Sequence, residues 1–157
     1  PLIHGGESTT LYRSGTPTVA LASSLALALE LAVEQLPQHR DAVRKANDFL
    51  RAELSRYPRV RINSPENAIP QILNLSVQDV KGTVFQRALD EKGVCVSVKS
   101  ACSSDGMPSR AVFAVSRDRR NALSSWRISL SHLTTEEDLR GFLAAFDACY
   151  RELTETH

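Results

Sequence analysis

The sequence predicts an α+β fold: a two-layer domain with about three short, mainly antiparallel strands covered by helices, preceded by a long connecting helix. Three observations carry this. The segments ILNLSV (72–77), VCVSV (94–98) and SWRISL (125–130) alternate apolar with polar or smaller residues, the period of a half-buried strand. Stretches with helical apolar spacing lie before, between and after them. A long alanine- and leucine-rich run, VALASSLALALELAVEQL (19–36), precedes all of these. Helices gathered on one face of a small sheet make a two-layer domain.

In chain order, residues 1–17 have no periodic pattern and carry Gly5, Gly6, Gly15 and two prolines, so they read as loop. Thr18 or Pro17 opens the apolar run, and Pro37 is expected to stop it near Leu36. Leu21, Leu25, Ala28 and Ala32 share one face while Leu27, Leu29 and Leu31 lie elsewhere. A helix apolar around so much of its circumference is expected to be buried on more than one side, as a connector between domains would be. A second helix is expected over 38–57, with Val43, Ala46, Phe49, Leu50 and Leu54 as its stripe. Residues 58–70 hold three prolines and read as a turn-rich connection. The segment 81–93 reads as a helix ended by Gly93. VCVSV would set Val94, Val96 and Val98 on one face and Cys95 on the other. A short helix is expected near 108–117. SWRISL would point Trp126, Ile128 and Leu130 inward, Arg127 and Ser129 outward. The last helix would start at a capping box of Thr134 with Glu137 and bury Leu139, Phe142, Leu143, Phe146 and Tyr150. The sheet face carrying Cys95, Ser97, Arg127 and Ser129 is left for something else to cover or use.

Composition narrows the function classes. The 157 residues suffice for one domain with a real core, or one domain and part of another. With 42% apolar and 24% charged residues the chain has an ordinary globular make-up. Nineteen basic against eighteen acidic side chains give a net charge of +1, with no basic stripe, so nucleic acid is not an expected partner. The densest basic patch, SRDRR (116–120), reads as a solvated helix end. No membrane partner is expected, because the apolar stretch 19–33 is short for a span and carries Glu30. The opening PLIHGG has no signal-peptide pattern, and without an initiator methionine the sequence is expected to begin inside a larger protein. Three cysteines, Cys95, Cys102 and Cys149, at wide spacings and without CxxC argue against a disulfide framework and a zinc site. A cytosolic protein with one thiol of interest fits better.

Three features could carry chemistry. Cys102 sits in KSACSSDGMPSR (99–110), among small and polar neighbours. It is either a loop cysteine without function or a nucleophile, with Lys99 favouring its thiolate. No general base stands beside it in sequence. Arg127 projects from the outer face of its strand, either into a surface ion pair or as a fork for a carboxylate. In YRSGTP (12–17), Thr16 either caps the following helix or, with Ser14 and Gly15, offers hydroxyls and backbone N–H groups to a phosphate. His4 reads as a loop histidine.

Taken in order, PLIHGG, RSGT with its apolar helix, ILNLSV, SACSS followed by PS, and WRISLSHLTTEED resemble the NifS/IscS-like cysteine desulfurases, across essentially the whole chain. The serine-rich cysteine segment resembles their longer-loop branch. The resemblance implies fold type I of enzymes that use pyridoxal 5'-phosphate. Residues 1–17 would end the cofactor-binding large domain, 18–36 would be the connecting helix, and 37–157 the C-terminal small domain. It implies that Cys102 takes sulfur from L-cysteine as a persulfide, leaving L-alanine, and passes it to an acceptor or iron–sulfur scaffold protein. Arg127 would hold the substrate carboxylate, and Thr16 the cofactor phosphate of the neighbouring subunit in a cytoplasmic homodimer. The family's Schiff-base lysine lies in an S-x-H-K context that none of Lys45, Lys81, Lys92 and Lys99 has. The chain is therefore expected to be a C-terminal portion, inactive alone. GGEST replaces the GGGQE of many relatives, which leaves contacts from residues 5–9 open. The alternatives are a portion of another class V aminotransferase or lyase, and a non-catalytic docking half of a split enzyme.

Overall fold

A computed structural model describes residues 3–6, 12–98 and 107–155. The chain divides into two compact units, 1–37 and 38–157.

In the first unit, Ile3 and Arg13 form an isolated parallel bridge, and the Ser14 N–H donates to the Ile3 carbonyl at 3.3 Å. Gly15 follows at φ 100°, a left-handed conformation that a side chain would strain. Helix α1 then begins at Val19, and it does not stop at Pro37. It runs Val19–Leu54, 36 residues with Pro37 inside, where two helices were expected. Proline removes one N–H and crowds the preceding turn. Long helix-forming flanks on both sides, ALALELAVEQL before and QHRDAVRKA after, keep enough bonds to carry the helix through.

Residues 19–36 are exposed throughout, Leu21 at 70% and Leu25 at 71%, so the expected burial on more than one side does not occur among the described residues. By length and composition alone α1 is apolar enough to cross a membrane, with an 18-residue window of mean hydropathy 1.6, none of it buried.

The second unit is built on a three-stranded antiparallel sheet of order β1-β2-β3, with β1 Val60–Ile62, β2 Ile72–Val77 and β3 Ser125–Ser129. Leu73 pairs with Ile128 and Leu75 with Trp126, while Val60 pairs with Val77. Strand alternation puts these six on one face. They join one core with Val43, Ala46, Leu50 and Leu54 of α1, Phe85 and Leu89 of α2 (Gly82–Asp90), and Leu139, Phe142, Phe146 and Cys149 of α5 (Glu136–Glu155). Phe146 is the aromatic hub, its ring 5.0 Å from Tyr57, 5.2 Å from Phe85 and 5.9 Å from Tyr150, centroid to centroid.

Three local expectations are revised. VCVSV is not a strand, since only Ser97 pairs, in an isolated antiparallel bridge to Arg127. Its sidedness is as expected, with Val94, Val96 and Val98 packed on the core and Cys95 exposed. The third strand is instead β1, inside the proline-rich connection, where three residues are too few to show a period. SRDRR does lie at a helix end, as expected: α3 (Arg110–Ser116) closes on its first residue with Arg117 as C-cap, and α4 (Arg119–Ser124) starts within it, capped by the Asp118 carboxylate accepting from the Asn121 N–H at 3.0 Å. The box on α5 is Thr135 with Asp138, one residue on from the expected pair. The Thr135 N–H donates to Asp138 Oδ2 at 2.8 Å and the Asp138 N–H to Thr135 Oγ1 at 3.1 Å. Thr134 Oγ1 is occupied by the Ser131 N–H.

Candidate functional site

The sheet face turned away from the core carries Arg61, Asn74, Ser76 and Arg127. Register explains this: Arg61 lies opposite Ser76, and Asn74 opposite Arg127. The floor is tied together by amides and hydroxyls. Asn63 Nδ2 lies within donor distance of Asn74 Oδ1 (2.9 Å) and Ser76 Oγ (2.8 Å), and Asn121 Nδ2 donates to Asn63 Oδ1 at 2.9 Å. Ser76 Oγ in turn donates to the Asn121 carbonyl at 3.0 Å. A network whose members satisfy one another is rigid.

Above this floor lies a cavity of about 850 Å³, within the 300–1,000 Å³ typical of small-molecule sites. Arg127 lines it, from the centre of β3. Its backbone is fixed by the Ser97 bridge, its side chain is half-buried, and its Nε is buried with no hydrogen-bond partner among the described residues. A buried guanidinium nitrogen without an acceptor is costly to leave unmatched, and a ligand oxyanion would match it.

The walls come from two stretches that flank the cysteine segment. Ser97 and Val98 line one part, Pro108 and Ser109 another. Both stretches are anchored: the Ser97 N–H donates to the Arg127 carbonyl at 3.1 Å and the Ser109 N–H to the Ala122 carbonyl at 3.1 Å. Ser109 also caps α3, accepting from the Val112 N–H. Cys102 and Lys99 themselves lie outside the described residues. Of the other thiols, Cys95 is exposed and Cys149 is buried, and burial pushes the Cys149 thiol above its usual pKa.

Thr16 belongs to the first unit, exposed in the turn before α1, and His4 is exposed as well. Thr16 is not brought together with Arg127 within one unit. Sequence reading missed Arg61, Asn63, Asn74 and Arg110 as cavity residues. Asn74 alone left a signal, as a polar residue at an outward position of ILNLSV.

The model of the family Aminotransferase class-V matches residues 4–142. The chain belongs to the class-V aminotransferase family. Among relatives of this class-V chain, the cysteine desulfurase IscS of Dictyoglomus turgidum is 34% identical over 156 residues, covering 98% of this chain and 40% of the relative. An IscS-like cysteine desulfurase of Mycobacterium tuberculosis is 32% identical over 143 residues, covering 88% of this chain and 36% of the relative. In solved structures, a NifS-like protein from Rickettsia africae superposes with a TM-score of 0.76 at 28% identity, over 96% of this chain and 39% of that one. The class-V chain thus spans about two fifths of the length of these relatives.

Class-V aminotransferases use pyridoxal phosphate, and the residues present fit one end of it. The hydroxyls of Thr16 and Thr18 are exposed ahead of α1 and make no hydrogen bond among the described residues, a donor set suited to a phosphate. No lysine of this class-V chain stands in an S-x-H-K context for the aldehyde end.

Proposed function

We propose that this chain is the C-terminal portion of a cysteine desulfurase, carrying the sulfur-accepting arm and the substrate clamp. The observation that carries the reading is the cavity in which Arg127 meets both described ends of the cysteine segment, Ser97–Val98 and Pro108–Ser109. Arg127 grips the carboxylate of L-cysteine. Its planar fork matches a carboxylate, and its Nε supplies a donor that no group among the described residues uses. Cys102 attacks the substrate sulfur as thiolate. The new S–S bond forms as the substrate C–S bond breaks, and the carbon keeps the electron pair and takes a proton to give L-alanine. The persulfide then passes to an acceptor or iron–sulfur scaffold protein.

Pyridoxal phosphate, when bound, supplies the electron sink for that carbon. Thr16 would hold its phosphate across a homodimer, in the cytoplasm. The Schiff-base lysine would come from outside this sequence, so the chain alone is inactive. Arg127→Gln in the full-length polypeptide tests the clamp. KM for L-cysteine is expected to rise tenfold or more with the persulfide still forming at saturation, and an unchanged KM would sink the assignment.

A further inference from the structure

The cavity holds more positive charge than one carboxylate needs. Three guanidiniums line it, Arg61 from β1, Arg110 from the start of α3 and Arg127 from β3, and among the described residues no Asp or Glu does. Among the described residues Arg110 and Arg127 form no ion pair. Arg61 has one, to Asp118 at 3.5 Å with both side chains about half exposed, a long surface pair of small worth that leaves most of its five donors without a partner among the described residues. Like charges collected around one concave space repel one another, and an anion bound among them relieves that repulsion.

The register sets the spacing. Arg61 is level with Ser76, which pairs with Ser125 on β3, so Arg61 lies two strands across and two residues along from Arg127. With strands about 4.8 Å apart and a rise of about 3.4 Å per residue, the two Cα atoms stand about 12 Å apart on the same face. The side chains of Arg61, Arg127 and Arg110 line this one cavity together. Two acid groups separated by a short carbon chain fit between them. A single carboxylate satisfies only one end.

Resting on the reading of Arg127 as a carboxylate clamp, we propose that this cavity binds small diacids, one acid group on Arg127 and the second on Arg61 and Arg110. L-cysteine fills the Arg127 end alone, so a diacid occupies the same place and competes with it. Such a ligand holds the site by charge, and its affinity falls as salt screens the exposed Arg61 and Arg110.

The test titrates the 157-residue chain with succinate and, separately, with butyrate, which has the same carbon count and one acid group. Binding is read from the backbone amide resonances of Asn74 and Arg127. Succinate is expected to bind at least tenfold more tightly than butyrate. Arg61→Gln with Arg110→Gln is expected to abolish that preference while butyrate binding stays as it was. Both positions are solvent-accessible, and an unchanged amide spectrum elsewhere establishes that the variant is folded. Arg127→Gln is expected to weaken both ligands. Equal affinities, a preference that survives the double substitution, or no binding of either ligand overturns the diacid site. If succinate binds no better than butyrate and butyrate still depends on Arg127, the diacid site fails and the clamp stands. If butyrate binding ignores Arg127→Gln, the clamp fails.

Discussion

Ser97 and Arg127 exchange a reciprocal pair of backbone hydrogen bonds, 2.7 Å from the Arg127 N–H to the Ser97 carbonyl and 3.1 Å in return. This one bridge fixes the chain just before the cysteine segment to the strand that carries Arg127. Ser97→Pro removes one of the two donors at an antiparallel pair, and a stability loss of about 1–3 kcal/mol is expected. Urea unfolding followed by fluorescence of the single tryptophan, Trp126, measures it, because that residue is buried beside the bridge on β3. Ser97→Ala keeps both backbone bonds and should unfold near the native midpoint. Equal midpoints for the proline variant and the parent would mean the bridge contributes nothing.

The core depends most on Phe146, which is fully buried and in ring contact with Tyr57, Phe85, Trp126, Phe142 and Tyr150. Phe146→Ala is expected to cost about 3–5 kcal/mol, from lost burial and the cavity left behind. The urea midpoint reads this directly. A loss below 1 kcal/mol would show that the aromatic cluster closes up around the gap.

The box at the start of α5 gives the protein an acid-sensitive term. Hydrogen bonds from the Thr135 N–H and hydroxyl hold the Asp138 carboxyl below its usual pKa. A carboxyl with a lowered folded-state pKa contributes stability that is fully present above its unfolded value and is lost as pH falls through the folded one. The midpoint difference between the parent and Asp138→Asn should therefore be largest near neutrality and shrink in the acid range. A difference independent of pH would contradict the cap.

Much of this was legible in the residues, and the failures have identifiable causes. SWRISL shows its two faces because Trp126, Ile128 and Leu130 alternate with polar residues, and the structure buries those three and leaves Arg127 on the open face. The partner of Arg127 was not legible, since Asn74 meets it only through inter-strand register, which no local pattern encodes. The cap was misplaced by one because Thr134-Thr135 and Glu137-Asp138 offer two boxes of the same spacing, and only the bond from Ser131 to Thr134 decides between them. Pro37 reads as a stop because its cost is local, whereas the helix around it is held by many bonds at a distance. VCVSV has the composition of a strand, yet a strand needs a paired neighbour and only Ser97 finds one.

The three thiols should separate by reactivity toward iodoacetamide in the folded chain. Cys149 is buried with its thiol pKa pushed up by desolvation, so it should remain unmodified until the protein unfolds. Cys95 is exposed and should react at an ordinary rate. Cys102 should react fastest if it is the sulfur acceptor. Peptide mass analysis after a short exposure resolves the order, and Cys149 labelled as quickly as Cys95 would contradict the packing of α5.

The most direct measurement of the central claim follows the sulfur itself. The full-length polypeptide carrying this sequence is incubated with ³⁵S-labelled L-cysteine, trapped with an alkylating reagent and digested. The account predicts label on the peptide containing Cys102, with one L-alanine released per labelled site, and neither in Cys102→Ala. Equal labelling and L-alanine release after that substitution would contradict it.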